Sequence, residues 1–358
     1  MASPQVSLEP PYGERDPRGM SALIEALPDH IDQALELAVR SPWTPPNREP
    51  DLLAYGGMGG SGIAGELTAA MIADEAPRPF LVVRDYAWPA CVTTRSLAVL
   101  SSNSGDTEET MALARQAEHR RVPAMALCSG GALAEHARRL SLPLHGMPSG
   151  MPPRAALFHG WVPVTLVPHV LGWCSDPVPA WREASSLLRD RLARLALAVP
   201  TASNPAKQLA HALDGKRLHV YTGPGMMAAM GVRWRQQLNE NAKVLAHSAA
   251  VPELDHNEIV GWQGAEPGRG ELAIVVLRDR EDSAETRLRL DVTLEYATRQ
   301  GATVHTVESE GESRIARLAS LAQTADFVSL HLALLGQVDP TDITSIELLK
   351  RRLAESRA

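Results

Sequence analysis

Two glycine- and hydroxyl-rich turns and two polar clusters hold the residues most able to do chemistry. The first turn, Gly56-Gly57-Met58-Gly59-Gly60-Ser61-Gly62, follows a short apolar run and opens a helical stretch. Glycines there let the backbone pass close to a ligand with its amide hydrogens outward. The helix start that follows favours an anion, so Gly59, Gly60 and Ser61 make a natural phosphate site. The same residues satisfy Gly57-x-Gly59-x-x-Gly62, the dinucleotide fingerprint, and Asp85 stands where a ribose-binding acid would. Tight strand–helix packing is a third reading. On this turn alone a nicotinamide enzyme and a phosphosugar binder stand level.

The second turn runs Ser101-Ser102-Asn103-Ser104-Gly105-Asp106-Thr107-Glu108-Glu109. Hydroxyls and amides at a helix start can wrap one phosphate, which a dinucleotide fold does not require. A Ser or Thr helix cap followed by an acid explains this turn taken singly. Two such turns in adjacent crossover units favour one shared phosphate pocket.

In the second half, Glu240 falls on a helical stretch with Gln237, Asn239 and Asn241 crowded beside it. Neutral polar groups are costly to bury without purpose, and a carboxylate among them could take and return a proton. His256 lies between Asp255 and Asn257, in a residue type that titrates near neutrality. A lone histidine in a polar loop is more often surface decoration. No HExxH or paired-histidine spacing supports a metal, and Cys91, Cys128 and Cys174 form no CxxC pair.

The elements that must position these groups alternate. Leu52–Tyr55, Phe80–Val83, Leu97–Leu100 and Pro123–Leu127 read as buried strands. Helices are expected at 21–40, where Pro28 could interrupt, and at 61–73, 107–120 and 131–139. Further helices are expected at 161–173 and 180–198. The rhythm restarts with Arg217–Thr222, Gly223-Pro224-Gly225 and a helix at 227–243. Strands Leu272–Leu277 and Thr303–Val307 and helices at 314–335 and 341–355 follow. This pattern predicts an α/β fold of two subdomains, each a parallel sheet between helix layers. The expected division is an N-terminal arm at 1–20, a phosphate-binding subdomain at 21–175, linking helices at 176–213 and a catalytic subdomain at 214–358.

Apolar residues make up 44% of 358, enough for a full core, and with three Phe most of its volume should come from Leu, Val, Ile and Ala. A net charge of −7 without single-sign runs argues against nucleic acid as partner. The N-terminal residues do not form a signal peptide, no stretch reaches membrane-spanning length, and the cysteine usage suits a reducing compartment, so a cytoplasmic protein is expected.

Gly-Met-Gly-Gly-Ser-Gly followed by Ser102-Asn103-Ser104-Gly105-Asp106-Thr107 resembles the sugar isomerase (SIS) domain. GGMGGSGIAGE at 56–66, SNSGDTEET at 102–110, PRAAL at 153–157, NENAK at 239–243, PELDHNEIVGW at 252–262 and DPTDITSIELLKRRL at 339–353 resemble the bifunctional phosphoglucose/phosphomannose isomerase family, in its order. The resemblance implies Ser61, Ser102, Ser104 and Thr107 as phosphate ligands. It implies Glu240 as the base that moves a proton between C1 and C2 through a cis-enediolate, and Arg154 as the group that stabilises its charge. It implies His256 in ring opening, across a dimer interface, with Lys350 assisting. It implies a homodimer without metal or redox cofactor. Ordinary surface roles stand beside those of Arg154 and Lys350. Asn103, Asp106 and Phe158 depart from the pattern. Asp106 would weaken phosphate binding unless it faces away, and Phe158 would reshape the pocket floor or pack beneath it. The rivals are a non-catalytic sugar-phosphate sensor, a nicotinamide oxidoreductase and an amidotransferase; the last would carry an N-terminal cysteine nucleophile, which is not found.

Overall fold

A strand covered on both faces needs no alternation of polar and apolar residues, and the unbroken apolar runs here form such strands. The computed structural model describes residues 6–44, 46, 48–264 and 272–356. Helices α1 (Met20–Glu25) and α2 (Leu27–Arg40) lead into β1 (Leu52–Gly56), α3 (Gly59–Met71), β2 (Phe80–Val83) and β3 (Ser96–Ser102). Then come α4 (Glu108–Arg120), β4 (Ala124–Cys128), α5 (Gly131–Arg139) and β5 (Leu144–Gly146). These strands form one parallel sheet in the order β2-β1-β3-β4-β5.

Helices α6 (Leu157–Val170), α7 (Val178–Leu195) and α8 (Pro205–Leu213) bridge to β6 (Arg217–Thr222), α9 (Met226–Glu240), β7 (Ala246–Ala250) and α10 (Glu258–Gly261). The chain continues through β8 (Leu272–Arg278), α11 (Ala284–Arg299), β9 (Thr303–Glu308), α12 (Arg314–Leu335) and α13 (Thr344–Glu355). The second parallel sheet has the order β7-β6-β8-β9.

In the first sheet the strand order reverses between β1 and β3, where ligands of open parallel sheets bind. The glycine turn leaves the end of β1 and the hydroxyl turn leaves the end of β3, so both flank that point.

One hydrophobic core joins the lobes, running from Leu8 through Trp161 and Trp181 to Trp234 and the whole of α12. α12 is long and apolar enough to cross a membrane, yet from Ile315 onward it is buried as the central helix. Trp161, Trp173, Trp181 and Trp234 are the largest side chains buried, so indole rings supply core volume alongside the aliphatic residues.

Pro28 sits in the first turn of α2, where the missing N–H costs nothing, so the expected interruption is a shift from α1 to α2. Val6 onward, expected as an extended arm, packs down: Leu8 is buried and the Glu9 carboxylate accepts from Lys207 Nζ at 2.9 Å. Phe158 stacks on Trp161 and meets the edge of Trp181, which places it in the core.

Candidate functional site

Gly60 has no β-carbon because another strand of backbone lies against it. A β-carbon there would stand 2.8 Å from the Pro153 carbonyl oxygen and 3.3 Å from the Arg154 nitrogen. The turn that opens α3 thus seats the Pro153–Arg154 segment directly. Gly59 takes φ +51°, which glycine adopts without strain.

The hydroxyl turn closes the other side. Ser61 Oγ accepts from the Asn103 amide at 3.1 Å, leaving its own hydrogen to donate. Ser102 Oγ accepts from the Gly105 amide at 3.0 Å and lies 2.8 Å from Thr107 Oγ1. Ser104 Oγ accepts from the Asp106 amide at 3.2 Å. Asp106 turns away: its Oδ1 accepts from the Ala132 amide at 2.9 Å, at the start of α5. Asn103 Nδ2 donates to the Met151 carbonyl at 3.2 Å, tying this turn also to the segment that carries Arg154.

Arg154 is 2% exposed, so it is no surface arginine. Its Nε donates to Asn241 Oδ1 at 2.6 Å, its Nη2 donates to the Pro340 carbonyl, and its Nη1 stands 3.6 Å from Glu240 Oε2. Burial works against its charge and Glu240 supports it. Asn241 Nδ2 donates in turn to Ser329 Oγ at 3.0 Å on α12. Arg233 Nη2 donates to the Arg154 carbonyl at 2.9 Å and to Asp326 Oδ1 at 2.7 Å. Gln237 Nε2 donates to the same Asp326 oxygen at 2.5 Å. Burial pushes the Asp326 carboxyl up and the Arg233 charge opposes it.

Glu240 ends α9 with its carboxylate open to a cleft of about 470 Å³ shared with Asn239, Lys243, Asp342 and Ser345. A negative charge at a helix carboxyl end opposes the helix dipole. Two cations offset it: Arg154, and Lys243, whose Nζ donates to the Glu240 carbonyl at 2.6 Å.

The structure therefore links Gly60, Ser61 and the Ser102–Thr107 turn to the segment at 151–154, whose Arg154 in turn meets Glu240. It does not bring His256 or Lys350 into contact with Glu240. His256 ends a short turn at Glu253–His256 and is exposed, and among the described residues no hydrogen bond or ion pair joins it to Glu240. Lys350 is exposed on α13, one helical turn beyond Ile346, which lines the cleft. Asp85 is exposed and its carboxylate accepts from the Tyr86 amide, so a local turn accounts for it.

Sequence reasoning missed Asp326, Arg233 and Ser329. For Asp326 and Ser329 the available signal was charge and hydroxyl inside the otherwise apolar stretch 314–335. It also missed Arg84, whose Nε would lie 3.0 Å from a β-carbon at Gly62 and whose Nη2 pairs with Glu66 at 2.9 Å. A cation therefore lies directly on the glycine turn.

Residues 202–353 match the family of the bacterial phospho-glucose isomerase C-terminal SIS domain. A bifunctional phosphoglucose/phosphomannose isomerase of Caldicellulosiruptor bescii is 35% identical over 329 residues, 92% of this chain and 97% of that one. Its namesake in Aquifex aeolicus is 31% identical over 84% of this chain and 90% of its own. Among solved structures, a hypothetical protein of Thermus thermophilus superposes with TM-score 0.71 at 18% identity, covering 96% of this chain and 92% of that one. The C-terminal domain of a Francisella tularensis glucosamine-fructose-6-phosphate aminotransferase gives 0.67 at 15%, covering 89% and 97%. The structural likenesses carry the fold alone. With two α/β lobes and this sequence identity over nearly its whole length, the chain belongs to the bifunctional phosphoglucose/phosphomannose isomerase family.

Proposed function

We propose that this chain is a metal-independent aldose–ketose isomerase that interconverts glucose 6-phosphate and mannose 6-phosphate with fructose 6-phosphate through a cis-enediolate. The observation that carries the reading is the Arg154–Glu240 pair at 3.6 Å, with the Arg154 backbone seated on the glycine turn.

The turn amides of Gly59 and Gly60 and the hydroxyls of Ser61, Ser102, Ser104 and Thr107 hold the phosphate. Glu240 then faces the C1–C2 end of the sugar. Its carboxylate takes the proton from one carbon and returns it to the other on the same face of the planar intermediate. Rotation about C2–C3 presents either epimer to that one base. The guanidinium of Arg154, held by Asn241 and Pro340, is already aimed where negative charge develops, so little reorganisation is needed in the transition state.

A homodimer completes the reading. α13 buries none of its residues, and Leu348 and Leu349 on it are exposed, as are Leu245 and Val260. A second copy covering these residues would bring its exposed His256 toward the cleft, with Lys350 at the cleft rim to assist ring opening.

The test is a coupled assay with both aldose phosphates in the presence of a chelator. Turnover of both is expected. Loss of turnover with chelator would overturn metal independence, and binding without turnover would favour the sensor reading.

A further inference from the structure

Among the described residues four arginines are buried: Arg154, Arg191, Arg233 and Arg317. Three of them hydrogen-bond a carboxylate. Arg191 Nε donates to Glu310 at 3.2 Å, Arg233 Nη2 to Asp326 at 2.7 Å and Arg317 Nε to Asp279 at 2.9 Å. Arg154 is held differently. Its Nε donates to the Asn241 amide oxygen at 2.6 Å and its Nη2 to the Pro340 carbonyl, both neutral groups. Glu240, 3.6 Å from Nη1, is the one carboxylate within ion-pair distance of it among the described residues. Burying a charge is costly unless a counter-charge is at hand, and the other three meet that condition more closely than Arg154 does.

The neutral anchor is itself fixed from α12. Arginine Nε can only donate, so the Asn241 oxygen faces it and the amide nitrogen faces the other way. That nitrogen donates to Ser329 Oγ at 3.0 Å. The Ser329 hydroxyl has a single hydrogen, which goes to the Asp326 carbonyl at 3.1 Å, so toward Asn241 it only accepts. Each hydrogen in this chain thus points one way. Asn241 and Ser329 are both 0% exposed, so bulk water does not compete for these bonds. The Asp326 carboxylate is taken up by Arg233 and Gln237 instead.

We propose that Asn241 and Ser329 are positioning residues that hold Arg154 in place while leaving its charge uncompensated for the enediolate. The proposal rests on the isomerase reading above. In the first proton transfer a C–H bond breaks, the proton goes to the Glu240 carboxylate and the electron pair goes into the enediolate. Glu240 becomes neutral as the substrate becomes negative. Arg154 then loses its acid partner at the moment the new anion forms, and its charge passes to that anion. A carboxylate at position 241 would fix the arginine equally well and would neutralise it throughout the cycle. The amide supplies the geometry without that loss, as preorganised stabilisation of developing charge requires.

The experiment compares Asn241→Asp and Ser329→Ala with the parent enzyme. Steady-state rates on glucose 6-phosphate and mannose 6-phosphate give kcat, and calorimetry with fructose 6-phosphate gives ground-state affinity. A five-carbon phosphosugar hydroxamate reads affinity for the intermediate, because its flat anionic end has the shape of the enediolate. Asn241→Asp should lose about 100-fold in kcat, because the arginine is neutralised. Ser329→Ala should lose about 10-fold, because the guanidinium is only loosened. In both, hydroxamate affinity should fall by the same factor as kcat/KM, with fructose 6-phosphate affinity within about threefold of the parent. Should Asn241→Asp fail to fold, Ser329→Ala, which removes one oxygen and adds no charge, carries the same test. Unchanged kcat, a loss in Asn241→Asp no greater than in Ser329→Ala, or equal losses of fructose 6-phosphate and hydroxamate affinity would each overturn the assignment. A parent enzyme that turns over neither aldose phosphate is a separate failure, that of the isomerase reading itself.

Discussion

Nη1 of Arg154 lies 3.6 Å from Oε2 of Glu240, while the backbone of the same arginine rests on Gly60. One residue thus ties the glycine turn of the first lobe to the carboxylate of the second.

Glu240→Gln keeps the size of the side chain but removes the carboxylate proposed as the base, and with it the negative charge beside Arg154. Isomerisation should fall by a factor on the order of 10²–10⁴, the usual share of general-base catalysis. Binding of fructose 6-phosphate, followed by calorimetry, should stay close to that of the parent. Loss of binding with retained turnover would contradict the assignment.

Ser102→Ala together with Thr107→Ala removes two hydroxyls that face each other at 2.8 Å. The proposed phosphate role predicts a raised Michaelis constant with kcat little changed, because such binding acts on ground state and transition state alike. An unchanged Michaelis constant would put the phosphate elsewhere.

Gly60→Ala introduces a β-carbon 2.8 Å from the Pro153 carbonyl oxygen. That oxygen belongs to backbone, so the turn and the Arg154 segment must part. A stability loss of about 1–3 kcal/mol is expected from overpacking. Steady-state kinetics should show kcat and the Michaelis constant worsening together, which separates this variant from the hydroxyl pair.

Arg233→Met leaves Asp326 buried without its cation. Breaking such a pair costs about 3–5 kcal/mol, which urea unfolding would read. Arg233→Met combined with Asp326→Leu should recover much of that loss.

His30 and His159 pack ring to ring at 5.0 Å in the core, and burial holds the imidazole of His159 down to about 4 and lowers that of His30. Both stay neutral in the folded protein while the unfolded chain takes up protons below its ordinary value near 6.5. Stability should therefore fall as pH drops from about 6.5 toward 4, with His159 alone costing about 2 kcal/mol between pH 7 and pH 5. Urea midpoints at these two pH values would measure it. His159→Gln should flatten the dependence.

The strands β1, β3, β4 and β8 were legible because each is an apolar run ended by a turn, and β6 because Gly223-Pro224-Gly225 closes it. β7 was not: Ala246-His247-Ser248-Ala249-Ala250 carries little strand preference, and pairing with β6 decides its state. α11, rich in charge, also escaped because its helical pattern is weak beside its polarity, and α8 escaped because it is only nine residues long. Phe158 and Asp106 could not be settled from their neighbours in sequence. Trp161, Trp181 and the Ala132 amide, which decide their directions, arrive through folding.

The sequence by itself determined the two glycine and hydroxyl turns, the polar cluster around Glu240 and the alternation that makes two parallel sheets, because turn chemistry and hydrophobic period are local. Tertiary structure alone decided that Gly60 meets Pro153, that Arg154 is buried against Glu240, that Asp326 and Ser329 anchor the network from inside α12, and that Lys243 bends into the cleft. These are contacts between residues far apart in the chain, selected by how the lobes pack, and no local preference specifies them.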